Sequence, residues 1–210
     1  MELRKMSLKT ELLGDKKVDY NLYGHLQAMS YFRDGKRFVY AAEATPSNLV
    51  KILTPNGADR PLLSLATVKR VMTLFKSPDI GLITEGKVED LSGKLVKCYW
   101  LNEDENYFQL IRLDTLKFLC DVANSDVIKT YAYLLNKNFY FEDYSFSCKE
   151  IAEMLGYSYR TEVVSKVENI LKSLKAFGLV EHADYYEKNY DGNPVPKKRL
   201  VYVSQTVNIK

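Results

Sequence analysis

Ser147-Cys148-Lys149-Glu150-Ile151-Ala152-Glu153-Met154-Leu155-Gly156-Tyr157-Ser158, followed closely by Thr161-Glu162-Val163-Val164-Ser165-Lys166-Val167-Glu168-Asn169-Ile170-Leu171-Lys172-Ser173-Leu174, is the stretch that decides the fold. Ser147 with Glu150 three residues later is a capping box, which opens a helix over 148–155. Gly156 closes that helix as a C-cap glycine does. A second helix starts at Ser158 to Thr161 and runs to about Ala176, with Val164, Val167, Leu171 and Leu174 as its apolar stripe. Upstream, Asn124 or Ser125 caps a helix that reaches about Asn136. Downstream, 179–186 and 199–207 alternate as strands, and the turn-rich run 188–196 joins them.

Helix, helix, tight turn, helix and hairpin in that order predict a winged helix, a helix-turn-helix variant that presents its third helix to a DNA major groove. A weaker copy occupies 20–101. Leu22, Tyr23, Leu26, Met29 and Phe32 suggest a first helix over 20–32. Phe38-Val39-Tyr40 reads as a short strand, and Thr45-Pro46 opens a helix through about Leu53. Thr54-Pro55-Asn56-Gly57 is a turn, and Ser64 caps a helix over 65–76 whose stripe is Leu65, Val68, Val71, Met72 and Phe75. A hairpin beginning at Gly81-Leu82-Ile83 turns at Asp90-Leu91-Ser92-Gly93 and returns over 95–101. The two stripes align: Leu65, Val68, Val71, Met72 and Phe75 fall on Val164, Val167, Ile170, Leu171 and Leu174, and Gly81-Leu82-Ile83 matches Gly178-Leu179-Val180 after a two-residue gap. The expected architecture is α+β, mainly helical, with two tandem winged-helix (helix-turn-helix) domains. Its parts are a flexible N-terminal arm (1–19), a first domain (20–101), a linker with a strand and a short helix (102–124) and a second domain (125–210).

The bulk properties narrow the function. The chain has 210 residues, 46% of them hydrophobic and 27% charged, which suits a globular protein. No apolar run approaches the roughly 18 residues of a membrane span, and the N-terminus lacks a secretory signal, so a cytoplasmic location is expected. Net charge is only +3; residues 1–105 carry 16 basic against 14 acidic side chains, and 106–210 carry 14 against 13. Bulk charge therefore does not argue for nucleic acid; only its placement can. Cys98, Cys120 and Cys148 fit neither a zinc pattern nor a disulfide framework and read as structural thiols. His25 and His182 stand alone, and no phosphate loop, dinucleotide fingerprint or nucleophile elbow occurs. The expectation is a non-enzymatic protein with no cofactor, metal or small-molecule ligand.

Helical geometry turns Ser165, Asn169 and Lys172 away from the core, flanked by Glu162, Lys166 and Ser173, with Arg160 and Thr161 at the helix start. Arginine reads guanine bidentately, asparagine reads adenine, and hydroxyls at a helix N-terminus bind phosphate. The run Lys197-Lys198-Arg199, with Lys188 across from it, places cations on the second hairpin for the phosphate backbone or a minor groove. Three adjacent strand residues alternate faces, so they do not all reach one groove. In the first unit the outward set is Ala66, Lys69, Arg70 and Thr73, with Thr67 at the margin and Arg70 the best groove candidate; Lys87, Lys94 and Lys97 are a weaker hairpin set. A solvated helix face and a solubilising hairpin edge are the bland readings of the same residues. Of the 16 tyrosines, Tyr131, Tyr133 and Tyr202 are expected in the core, whereas Tyr157, Tyr159, Tyr185, Tyr186 and Tyr190 gather near the candidate face.

The segment 108–204 resembles replication initiators and replisome organisers of plasmids and phages of low-GC Gram-positive bacteria. The resemblance rests on Gln109-Leu110-Ile111, Leu116, Ile128-Lys129-Thr130-Tyr131, Leu134-Leu135, Phe146-Ser147, Ile151-Ala152 and Leu155-Gly156-Tyr157-Ser158. It implies tandem winged helices whose third helices read repeated duplex DNA. The expected function is sequence-preferring binding of double-stranded DNA in replication initiation or its transcriptional control. The alternative, favoured by near-neutral charge and abundant tyrosine, is a winged-helix scaffold for primosome or replisome assembly, with replisome proteins or a second copy as partners.

Overall fold

The computed structural model describes residues 2–54, 59–103 and 106–208. Its elements in chain order are β1 (Leu3–Ser7), α1 (Thr10–Gly14), α2 (Tyr20–Ala28), β2 (Tyr31–Arg33), β3 (Lys36–Tyr40), α3 (Pro46–Ile52), α4 (Leu65–Lys76), β4 (Ile83–Glu89), β5 (Leu95–Leu101), β6 (Phe108–Arg112), α5 (Leu113–Val122), α6 (Ser125–Tyr140), β7 (Ser145–Phe146), α7 (Cys148–Met154), α8 (Thr161–Ala176), β8 (Val180–Lys188) and β9 (Pro194–Val203). They form an α+β protein with several small antiparallel sheets. Pro55–Gly57 of the expected turn, and Asp104 and Glu105 of the expected linker, lie outside the described residues. Two compact units emerge, Met1–Ser7 with Lys17–Ser125 and Leu8–Lys16 with Asp126–Lys210.

In unit 1 the caps act as the sequence implies. Thr45 accepts from the Asn48 N–H before Pro46, and Ser64 accepts from the Thr67 N–H, which satisfies donors that each helix start leaves orphaned. On α4, Val68, Val71, Met72 and Phe75 are buried, while Leu65, at the first helical position, is exposed. The helix-facing side of the sheet supplies Val39, Ile83 and Leu101 to the core. The strand order is β2-β3-β5-β4, so the strand before α3 pairs with the last strand of the hairpin. The opposite sheet face carries its own small cluster of Phe38, Val88 and Cys98 under Tyr40, Val96 and Trp100.

Three expectations are corrected here. Helix α2 stops at Ala28, and Phe32 lies exposed in β2; one apolar residue a turn further on does not extend a helix when Asp34 and Gly35, both at positive φ, make the hairpin turn of β2–β3. Residues 1–19 are not an arm: β1 pairs with β6 from Leu3↔Arg112 to Ser7↔Phe108, burying Met6. Residues 102–124 are not a linker, because β6 and α5 are part of unit 1 and Asn21 Nδ2 donates to the Cys120 and Ala123 carbonyls at 2.8 and 2.7 Å.

Unit 2 runs α6, β7, α7, α8, β8, β9, with strand order β7-β9-β8. Its first strand again pairs with its last. The core collects Ile128, Tyr131, Leu134, Ile151, Leu155, Val167, Leu171, Leu174 and Leu179. Ser147 caps α7 through the Glu150 N–H, but the Glu150 carboxylate accepts from Tyr133 and Tyr144 and does not complete a capping box. The returning strand begins at Pro194, earlier than expected, and the ladder shifts register between Glu181 and His182, leaving Val201 as an extra residue on β9. That bulge puts Leu200 and Val203 on the buried side and leaves Tyr202 40% exposed, against its expected place in the core.

The N-terminal segment 8–16 completes unit 2. Leu12 and Leu13 are buried, and the Lys129 ammonium, itself buried, donates to the Asp15 carbonyl at 2.9 Å. Gly14 passes so close to Gly156 that a Cβ on Gly156 would stand 2.0 Å from the Gly14 oxygen, and Gly156 sits at φ +73. Glycine is required there twice over, by conformation and by space.

Candidate nucleic-acid interface

The surface of α8 is set by its buried stripe. Val167, Ile170, Leu171 and Leu174 hold one side against the core, and Arg160, Thr161, Ser165, Asn169 and Lys172 emerge exposed on the other. Arg160 is the N-cap residue with extended backbone, and its side chain makes no capping bond. The Ser165 hydroxyl leans back on the Thr161 carbonyl at 3.4 Å. Glu162 is the acidic member of this face.

Lys166, placed by sequence beside these residues, is half-buried and already engaged. Its ammonium lies 2.6 Å from Asp126 Oδ2, contacts the Tyr157 hydroxyl and stacks 4.2 Å from the Tyr157 ring centroid. Burial opposes its charge, but Asp126 and Tyr157 outweigh that and raise its pKa. Lys16 sits 4.0 Å over the same ring, a neighbour that chain distance hides from any sequence reading.

On the hairpin the three adjacent cations separate. Arg199 is exposed with its guanidinium 5.5 Å from the Tyr185 ring, and Lys197 is half-buried 4.0 Å from Glu187. Lys198 points the other way. It is buried, 3.0 Å from Glu168 of α8 and 2.8 Å from Asp184 across the ladder. Burial disfavours its charge, yet the two carboxylates hold its pKa above the usual lysine value. Lys198 is therefore an internal ion-pair residue and not the phosphate contact expected of it, because β9 turns it toward α8. Lys188 is exposed at the end of β8.

The Lys198 cluster extends further. Cys148 Sγ donates to Glu168 Oε1 at 3.1 Å, and burial, then Glu168, push the thiol up to about 12. A thiol held protonated is a donor and not a nucleophile. His182 Nδ1 lies 3.4 Å from Asp184 without hydrogen-bond geometry. Burial, followed by the nearby Lys198 charge, lowers the His182 pKa.

In unit 1, Lys69, Arg70 and Thr73 are exposed on α4, with the Thr73 hydroxyl donating to the Lys69 carbonyl at 3.0 Å. Thr67 is half-buried and tied to Ser64. At the end of α4, Lys76 bridges to Glu85 of β4 at 2.9 Å. At the end of α8, Lys175 pairs with Glu181 of β8. Lys76 and Lys175 occupy the same aligned position, so both units brace the third helix against the hairpin with a lysine.

Among the described residues no group of three His, Cys, Asp or Glu side chains is placed to hold a metal ion, and no helix is long and apolar enough to cross a membrane. No family model, curated protein or solved structure matches the chain.

Proposed function

We propose that the chain is a double-stranded DNA-binding protein built on two winged-helix modules, with α8 as a groove-reading helix. The observation that carries this reading is the state of α8: a helix anchored by one apolar stripe, with Arg160, Thr161, Ser165, Asn169 and Lys172 left in solvent on the other side. Those residue types bind guanine, phosphate and adenine. Support for the module comes from the succession helix, strand, helix, helix, hairpin in unit 2 and the strand order it shares with unit 1. Replication of a mobile element, or control of its transcription, is the setting that the resemblance of 108–204 suggests.

The test is a binding titration against a selected duplex and a random duplex at two salt concentrations. Arg160→Ala is expected to cost about 1–3 kcal/mol on the selected site and much less on random sequence. Equal loss on both duplexes would remove Arg160 from base reading, and wild-type binding that ignores salt would end the DNA assignment.

A second reading has its own observation. Phe139, Tyr140 and Phe141, at the end of α6, are 75%, 68% and 53% exposed. Consecutive exposed aromatics suit a protein interface. A scaffold role predicts self-association or partner capture that F139S weakens while duplex binding stays unchanged.

A further inference from the structure

Both hairpins carry a cross-strand pair at the same distance from the helix-to-strand junction, and the two pairs differ in charge. Counting from Ile83↔Leu101 along β4–β5, the fifth pair is Lys87↔Lys97. Counting from Val180↔Val203 along β8–β9, the fifth pair is Asp184↔Lys198. The third-helix alignment places Lys69 of α4 opposite Glu168 of α8. One unit thus has Glu168, Asp184 and Lys198 closed into an ion-pair cluster at 2.8–3.0 Å. The other has Lys69, Lys87 and Lys97 at the matching positions, all exposed and without an ion pair among the described residues.

The three lysines share a surface. Residues two apart on a strand point the same way, so Lys87 follows Glu85 and Lys97 follows Tyr99. Lys76 marks that face as the α4 side, since its ammonium pairs with Glu85 and lies 5.9 Å from the Tyr99 ring. Lys69, Thr73 and Lys76, at i, i+4 and i+7, form one stripe of α4 that leads to it. The acids nearby are already engaged: Glu85 with Lys76, Glu89 with Arg33, and Asp90 with the N–H groups of Ser92 and Lys94. Like charges directly opposite in an antiparallel pair are destabilising. A fold that keeps Lys87 against Lys97, with a third lysine on the facing helix, has a surface suited to an external polyanion.

We infer that Lys69, Lys87 and Lys97 form a phosphodiester-backbone site of unit 1, one that adds salt-dependent, sequence-independent affinity for duplex DNA to the base reading proposed for α8. This rests on the DNA-binding reading and goes beyond it by giving unit 1 a backbone site of its own. The matching positions of unit 2 cannot serve so, because Lys198 is closed between Glu168 and Asp184.

The experiment compares full-length wild type, the triple variant K69Q/K87Q/K97Q, and Arg160→Ala, measuring random-duplex affinity between 50 and 200 mM salt. Each phosphate contact contributes about 0.9 to the slope of log affinity against log salt, so the triple variant should lose about 2.7 from that slope. Arg160→Ala should change it by about one or less. A single variant, Lys87→Asp, installs the arrangement of unit 2; it should raise or preserve the melting temperature while weakening random-duplex binding, which separates charge from misfolding. An unchanged slope in the triple variant, with Arg160→Ala still impaired on its selected site, would overturn the inference alone. Absence of salt-dependent binding by wild type would overturn both readings.

Discussion

The two helix–hairpin units use lysine in opposite ways. Lys198 of β9 is turned inward, between Glu168 and Asp184. Lys97 of β5, at the matching place, faces another lysine and water. The two share the order of three strands, β3-β5-β4 and β7-β9-β8, and a lysine at the end of the helix before the hairpin. The lesson is local: a lysine at the same register position is an internal ion-pair partner in one unit and a solvent-facing charge in the other, a difference that net charge does not report.

The comparison is broken most forcefully at Gly156. Alanine there meets the Gly14 backbone and must hold φ +73, so unit 2 should lose about 3 kcal/mol or more. Trp100, the single tryptophan, lies in unit 1. Its fluorescence reports that unit, so G156A should lower the circular-dichroism transition of unit 2 and spare the tryptophan transition. A common shift of both signals would show that the units do not unfold separately.

A smaller effect sharpens the contrast between the matching lysines. Lys198→Ala leaves Glu168 and Asp184 without their shared cation. Both carboxylates are part-exposed and regain some water, so the cost is about 1–3 kcal/mol and below that of a fully buried pair. Lys97→Ala, which removes one of two facing ammonium groups, should stay within about 0.5 kcal/mol and lower DNA affinity instead. Urea unfolding of the two variants decides it, and equal destabilisation would erase the distinction.

Acid should act most gently. The folded state lowers the pKa of His182, and it also lowers Asp184, through the Lys198 hydrogen bond, and Glu168, where Cys148 and Lys198 outweigh burial. Each such group stabilises the fold above its unfolded pKa, and that contribution is lost as pH falls through the folded value. Unit 2 should therefore begin to lose stability below about pH 6.5 as unfolded His182 takes up its proton, and lose more through the carboxylate range. H182Q should flatten the first part of that decline in a melting-temperature series from pH 7 to 5; an unaltered series would assign the loss to other groups.

Much of this was legible in the residues. Both third helices were readable to within a few residues, because a 3.6-period stripe and a capping serine or a start between Ser158 and Thr161 leave little freedom. The exposed side of α8 followed from the same stripe. What stayed hidden depends on partners remote in sequence. Segment 8–16 reads as polar until Leu12 and Leu13 find unit 2, and 108–112 reads as linker until β1 pairs with it. Lys198 could be separated from Lys197 and Arg199 by alternation, but only the ladder says which face is inward, and the bulge at Val201 then misplaces Tyr202.

The assignment of neighbouring segments to different units also sets which contacts close late. Strand β1 pairs with β6, just over a hundred residues along the chain. Segment 8–16 closes over a longer stretch still, since its seat includes Gly156 and Lys129. Each unit is thus finished by a contact of high sequence separation, and the loop-closure entropy of such contacts must be met before their burial repays it.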